Sequence, residues 1–205
     1  MSIYKKNLEL LTKNNVYSKE MEHDACGVGL IASTEGKKSR EVVEYGIEAL
    51  KAVWHRGAVD ADGKTGDGAG IHLEIPKDFF IEKIEVTGHI HDGSDICVGM
   101  IFLPKNDYAS QESCKTIVES ELTKNNFSIY GWRQVPVNPK VLGEKAFQTM
   151  PEIIQVLFKS NDKNLIDKDL ERKIYETRKK IENKAFNLSL NNFYICSISS
   201  KSIIY

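Results

Sequence analysis

The hydrophobic positions of the chain recur with two periods. Val43, Ile47, Leu50 and Trp54 follow Ser39 at helical spacing and stop before Gly57, so a helix capped by Ser39 is expected there. Leu170, Ile174, Thr177 and Ile181 mark one face of a second, long and charged helix, and residues 107–124 predict a third. Ile71, Leu73 and Ile75 alternate with His72 and Glu74, the period of a half-buried strand, and Pro76 ends the run and opens a short helix. Continuous apolar runs at 26–32 and 96–103 predict buried strands, and further strands are expected over 129–135, stopped by Pro136, and over 151–158. Residues 193–199 and 202–205 read as two strands joined at Ser200-Lys201, in the manner of a hairpin. No internal repeat is visible. Strands and helices mix without strict βαβ alternation, which favours an α+β layered fold.

The segment before residue 26 has a different character. Leu8, Leu10 and Leu11 fit a helical turn, but Lys and Asn dominate, so 1–25 is expected to be a loosely held leader ahead of a domain over 26–205. It has no apolar core of the kind a secretory signal needs. His23 and Asp24 stand where a lipoprotein site requires apolar or small residues.

The 205 residues, 41% of them apolar, suffice for one domain with a real core. A net charge of −1 calls for neither nucleic acid nor an anionic membrane as partner. No apolar run is long enough to span a bilayer. The four cysteines, Cys26, Cys97, Cys114 and Cys196, form no CxxC pair and no zinc-spaced cluster. A reduced, cytoplasmic protein is the expectation.

A cysteine beside an apolar run is most often a small buried hydrophobe. Three features raise Cys26 above that reading: a disposable leader before it, the small Ala25 adjacent to it, and glycines after it that leave the backbone uncrowded. Cleavage between Ala25 and Cys26 would give the thiol a free α-amine in its own residue. That amine, with a pKa of about 8, can take a proton near neutral pH. Before cleavage the same nitrogen is an amide without basicity, so the leader would hold the site silent. Arg56, in His55-Arg56-Gly57, either complements the end of the first helix or stands beside Cys26 and favours its thiolate. A guanidinium suits the second task better than His55 because it is always charged.

Residues Thr65-Gly66-Asp67-Gly68-Ala69-Gly70 suggest a phosphate loop, but such a loop needs strand, glycine turn and then helix. Here a helix precedes and a strand follows. The glycines instead suit a loop folded tightly beside Cys26, with Asp67 bonding backbone amides. Gly27, Gly57, Thr65, Gly66, Asp67 and Gly68 are therefore the residues expected to shape the site. His72, His89 and His91 lack a third ligand and do not make a metal centre. The charges around Arg172–Glu182 fit a solvated helix face. Trp132 and Arg133, ahead of Pro136, either shape a pocket or are core and turn residues.

Cys26-Gly27-Val28-Gly29, His55-Arg56-Gly57-Ala58 and Thr65 to Gly70, in this order and spacing, closely resemble glutamate synthase large subunits at the start of their class II glutamine amidotransferase domain, an N-terminal-nucleophile hydrolase. Residues 131–138 and 193–200 carry the same resemblance. It implies a four-layer αββα sandwich, incomplete at its C-terminal end. It implies Cys26 as catalytic nucleophile, forming a thioester with glutamine and releasing ammonia for the amination of 2-oxoglutarate, and Arg56 as the substrate-side arginine near it. FMN and an iron–sulfur cluster are implied for the full-length enzyme, with no cofactor in this segment. The implied partners are glutamine, the rest of the large subunit, and a small electron-donating subunit or ferredoxin, with no nucleic acid and no membrane. The family's Asn-Gly oxyanion pair has no counterpart here, so the chain is expected to end inside the domain and to be inactive alone. Two alternatives stand beside this reading: a non-catalytic remnant or interaction module of the same fold, and a different class II amidotransferase. The loop from Thr65 to Gly70 favours glutamate synthase over the latter.

Overall fold

The computed structural model describes residues 3–14, 27–54 and 57–205. Its centre is a four-stranded antiparallel sheet in the order β3-β4-β2-β5, built from β2 (Cys97–Leu103), β3 (Phe127–Gln134), β4 (Glu152–Ser160) and β5 (Tyr194–Ser199). β2 lies between two neighbours and is covered on both faces, which is why its sequence, CVGMIFL, is apolar throughout. Cys97 and Ile101 face one cluster, with Leu103, while Val98 and Met100 face the other.

Helices α4 (Tyr108–Lys124) and α6 (Asp167–Asn187) cover the first face. Asp107 starts α4 by accepting from the Ser110 amide at 3.0 Å. Leu170, Ile174, Thr177, Ile181 and Ala185 of α6 are all buried, the spacing of a single inward stripe. The Thr177 hydroxyl satisfies itself within the helix by donating to Lys173 O at 2.8 Å. Between the helices, the buried Glu121 is held by Lys184 of α6, and that hydrogen bond keeps its carboxyl below the usual range. Residues on the outer side of α6 pair along the helix, as in Arg172–Glu176 at 3.2 Å.

The second face packs against α3 (Lys77–Val86), through Phe80 and Ile84, and against a two-stranded antiparallel sheet of β1 (His72–Glu74) and β6 (Ser202–Ile204). Ile75 and Ile203 are buried there. Beyond the small sheet, α2 (Arg40–Ala52) approaches β1: a Cβ on Gly46 would lie 3.3 Å from Ile71, and Lys38 pairs with Glu74 at 2.5 Å. The fold is thus α+β in layers, helices, sheet, sheet and then α2, which buries none of its residues.

Three expectations need correction. Residues 27–32 form no strand, and Val28 and Leu30 are 95% and 89% exposed. An apolar run becomes a strand only beside an edge that takes its hydrogen bonds, and among the described residues no such edge lies next to it. β5 and β6 are not a hairpin: β5 pairs with β2, whereas the chain turns at Ser200-Lys201 and β6 crosses to β1. Glu171 fixes that turn, accepting from Ser199 Oγ at 2.9 Å and from Ser200 N and Oγ at 2.7 Å each. Ahead of residue 26, α1 (Ile3–Lys13) is three turns of helix rather than one. A 3-10 turn (Pro139–Val141) and α5 (Glu144–Thr149) were not foreseen.

Candidate functional site

The segment between α2 and β1 is built from its ends inward. Ser39 caps α2 by accepting from Val42 N at 3.3 Å, and past the helix Gly57 N returns to Trp54 O at 3.1 Å. The chain then folds back on itself. Val59 and Gly66 form an antiparallel bridge, Asp60 N donates to Thr65 O at 2.7 Å, and Asp67 N donates to Ala58 O at 3.3 Å. The Asp67 carboxylate accepts from Ala58 N at 2.9 Å, so both ends of the fold-back are tied by one residue. This is the bonding expected of Asp67 from the sequence. Gly63, at φ 69°, occupies the left-handed region that closes the tip. Gly66 allows close approach of the strands, since a Cβ there would stand 3.0 Å from Ala58 O. At the exit, Ile71 exchanges two backbone hydrogen bonds with Tyr205, at 2.8 and 2.9 Å.

Asp62 organises the tip. One oxygen accepts from Lys64 N at 2.9 Å and Thr65 N at 2.7 Å, and the other from Thr65 Oγ1 at 2.6 Å. The Thr65 hydroxyl first, then these amides, hold its carboxyl well below the usual carboxylate range. The tip also docks on a remote segment: Lys145 Nζ pairs with Asp60 at 2.6 Å, and Ala146 N donates to Thr65 Oγ1 at 3.4 Å. Asp62, Gly143 and Lys145 were not singled out in the sequence. The Asp-x-x-Thr spacing of 62–65 was the available local signal, while a contact spanning some eighty residues leaves none.

Cys26, His55 and Arg56 lie outside the described residues. Of the loop residues expected to shape the site, Gly57, Thr65, Gly66 and Asp67 are brought together, and Gly68 follows with open space where a side chain would stand. Gly27 belongs to the exposed run, and among the described residues no hydrogen bond joins 27–32 to 57–70. Trp132 and Arg133 are sheet residues: Trp132 Nε1 donates to Glu119 at 2.7 Å, and Arg133 donates to Gln155 at 2.8 Å while lying 5.1 Å from the Phe79 ring. His91 bonds Ser94 O at 2.9 Å and His89 meets the Thr87 hydroxyl at 3.0 Å. Among the described residues no three His, Cys, Asp or Glu side chains gather to hold a metal ion. No described helix is long and apolar enough to cross a membrane.

A glycine-rich fold-back following a capped helix, in front of two stacked antiparallel sheets, narrows the choice of family. Residues 26–205 match the family model of glutamine amidotransferases class-II. The chain belongs to that family. It is 52% identical over 98% of its length to the glutamate synthase [NADPH] large chain of Azospirillum brasilense. It is 38% identical over 96% of its length to the ferredoxin-dependent glutamate synthase of Pyropia yezoensis, and 38% identical over 90% to the chloroplastic ferredoxin-dependent enzyme of Spinacia oleracea. The chain spans 13%, 13% and 11% of the lengths of these three relatives. The class-II amidotransferase match covers both sheets and all helices after α1, so the fold-back loop lies inside the family's domain.

Proposed function

We propose that this chain is the glutaminase part of a glutamate synthase large chain, with residues 26–205 as its domain and 1–25 as a leader removed before Cys26. The observation that carries the reading is the family match over 26–205 together with 52% identity to a glutamate synthase along nearly the whole chain. The Cys26 thiolate attacks the side-chain amide carbon of glutamine, and its freed α-amine takes the thiol proton. That proton passes to the departing nitrogen, which leaves as ammonia, and a glutamyl thioester remains. Water then attacks the thioester, returning the thiol and releasing glutamate. Arg56 favours the thiolate and orders the new terminus. Gly57, Thr65, Gly66, Asp67, Gly68 and Gly27 shape the walls of the site.

For the whole protein the ammonia aminates 2-oxoglutarate in the cytoplasm. Its partners are the rest of the large subunit and either a small electron-donating subunit or ferredoxin. FMN and an iron–sulfur cluster belong to that larger assembly, and no residue of this segment is assigned to them. A cluster needs converging thiolates, whereas Cys97 and Cys114 are packed in β2 and α4. In the full-length protein, Cys26→Ala abolishes glutamine-dependent glutamate formation, while added ammonia still supports it, and mass spectrometry finds a mature N-terminus at Cys26. Normal glutamine hydrolysis by the Cys26→Ala protein, or an active mature protein that begins at Met1, overturns the assignment.

A further inference from the structure

The fold-back loop does not hold its position by its own bonds alone. Its tip sits on the start of α5, in a chain segment that neither the motif pattern nor the nucleophile assignment involves. Gly143 is buried directly under the tip. A Cβ on Gly143 would collide with Thr65 Oγ1 and Asp62 Oδ2 and come within 2.5 Å of Thr65 N. The residues that follow reach the same point: Ala146 N donates to the Thr65 hydroxyl and the Lys145 ammonium pairs with Asp60. The Lys145 amide also faces the Asp62 carboxylate. No residue next to α5 in sequence caps it with a side chain, since Gly143 occupies the cap position. Asp62 and Thr65 supply from the loop the acceptors that the first amides of a helix leave unsatisfied.

We infer that Asp62 and Gly143 are positioning residues of the glutaminase site: together they latch the loop carrying Thr65, Gly66, Asp67 and Gly68 onto α5. This rests on the glutaminase reading above. The physical reason is rigidity. The loop is exposed over most of its length and, among the described residues, is tied to its own base by the side chain of Asp67 alone. A second anchor at the tip turns a hinged flap into a fixed wall. Each anchor group acts through the loop and not on the substrate, so its loss misplaces the wall without removing a reacting atom. A misplacement of about 1 Å in such a wall costs up to roughly 10²-fold in turnover efficiency.

The test uses the full-length enzyme carrying Gly143→Ala, Asp62→Asn, or both. Glutamine hydrolysis and ammonia-dependent glutamate formation are measured, with hydrogen–deuterium exchange of the 58–67 amides. Each single variant is expected to raise the glutamine KM roughly tenfold or more. KM is a property of the folded molecules whatever their number, so simple loss of folded protein lowers the apparent kcat and leaves KM unmoved. Ammonia-dependent formation stays within about twofold, and the 64 and 65 amides exchange faster. The double variant adds little to either single one, because the two residues serve one latch. Unchanged exchange overturns the latch. Faster exchange with an unchanged glutamine KM overturns its role in positioning. A parent enzyme without glutaminase activity overturns the functional reading and this inference with it, whatever the exchange data show.

Discussion

A thiol reacts as its thiolate, so the surroundings of each cysteine decide which of them can take part in chemistry. Cys97 and Cys114 are both fully buried. Burial pushes the Cys114 thiol up to about 11, and it pushes Cys97 up further, with the Glu171 and Asp95 charges adding to the effect. Cys196 is raised too, again through burial, although it is only partly covered. All three are thiols at neutral pH, held in β2, α4 and β5. Brief treatment of the native full-length protein with iodoacetamide at pH 7.5, followed by peptide mass spectrometry, should label Cys26 first and leave Cys97 and Cys114 unmodified until the protein is denatured. Fast native labelling of Cys114 would contradict the burial argument. Sequence alone could rank these cysteines only by the company they keep. The proton affinities depend on how deeply the packed sheet and helices enclose them.

At the scale of elements, the turn between β5 and β6 decides where the small sheet lies. Glu171, in the first turns of α6, takes three donors from Ser199 and Ser200, and Ser199 Oγ in turn accepts from Lys201 N at 2.9 Å and Ser202 N at 3.2 Å. Both serines are buried, so removing the carboxylate strands donors away from water. Leaving one such donor unpaired costs about 1–3 kcal/mol. Glu171→Ala should therefore lower the unfolding free energy by at least that much, read from urea denaturation, and Glu171→Gln by less, since its carbonyl still accepts. An alanine variant as stable as the parent would show that water replaces the carboxylate. This turn also marks where the pattern of the sequence stopped being informative. The apolar pattern located β2, β3, β4 and α6, because each buries residues that its own pattern defines, and it located β1 and α2 as well, although these two bury none of theirs. Two strands separated by two residues also look like a hairpin, and nothing local says that the second joins β1, more than a hundred residues earlier. Likewise the run at 27–32 has strand composition, yet a strand needs an edge, and edges are properties of the assembled sheet. The fold-back loop was more legible, since Asp67 bonds to the amide of Ala58 nine residues away and its glycines mark the close approaches. The anchoring of that loop on α5 was not.

The molecule as a whole is held by two apolar clusters that share the four-stranded sheet between them. Because alternate residues of β2 feed opposite clusters, a disturbance in this strand reaches both. Gly99 sits at its middle, paired with Val156 of β4 and Ile198 of β5. A Cβ there would stand 2.7 Å from Val156 Cγ1 and 3.5 Å from Ile198. The absent side chain lets the neighbouring strands' valine and isoleucine close over β2 beneath the α4–α6 layer. Filling that space forces β4 or β5 to shift, and both are fixed by paired residues on either side of the contact. Overpacking of this kind costs about 1–3 kcal/mol. If the sheet couples the two clusters, Gly99→Val lowers the urea midpoint, and the loss of Trp132 fluorescence, which reports on the helix side, still coincides with the loss of far-ultraviolet ellipticity. Trp132 packs against the first cluster, whereas Trp54 is 75% exposed and contributes little change. Separate transitions for the two probes would mean that the clusters unfold independently, and an unchanged midpoint would mean that the strands yield to the added side chain without cost.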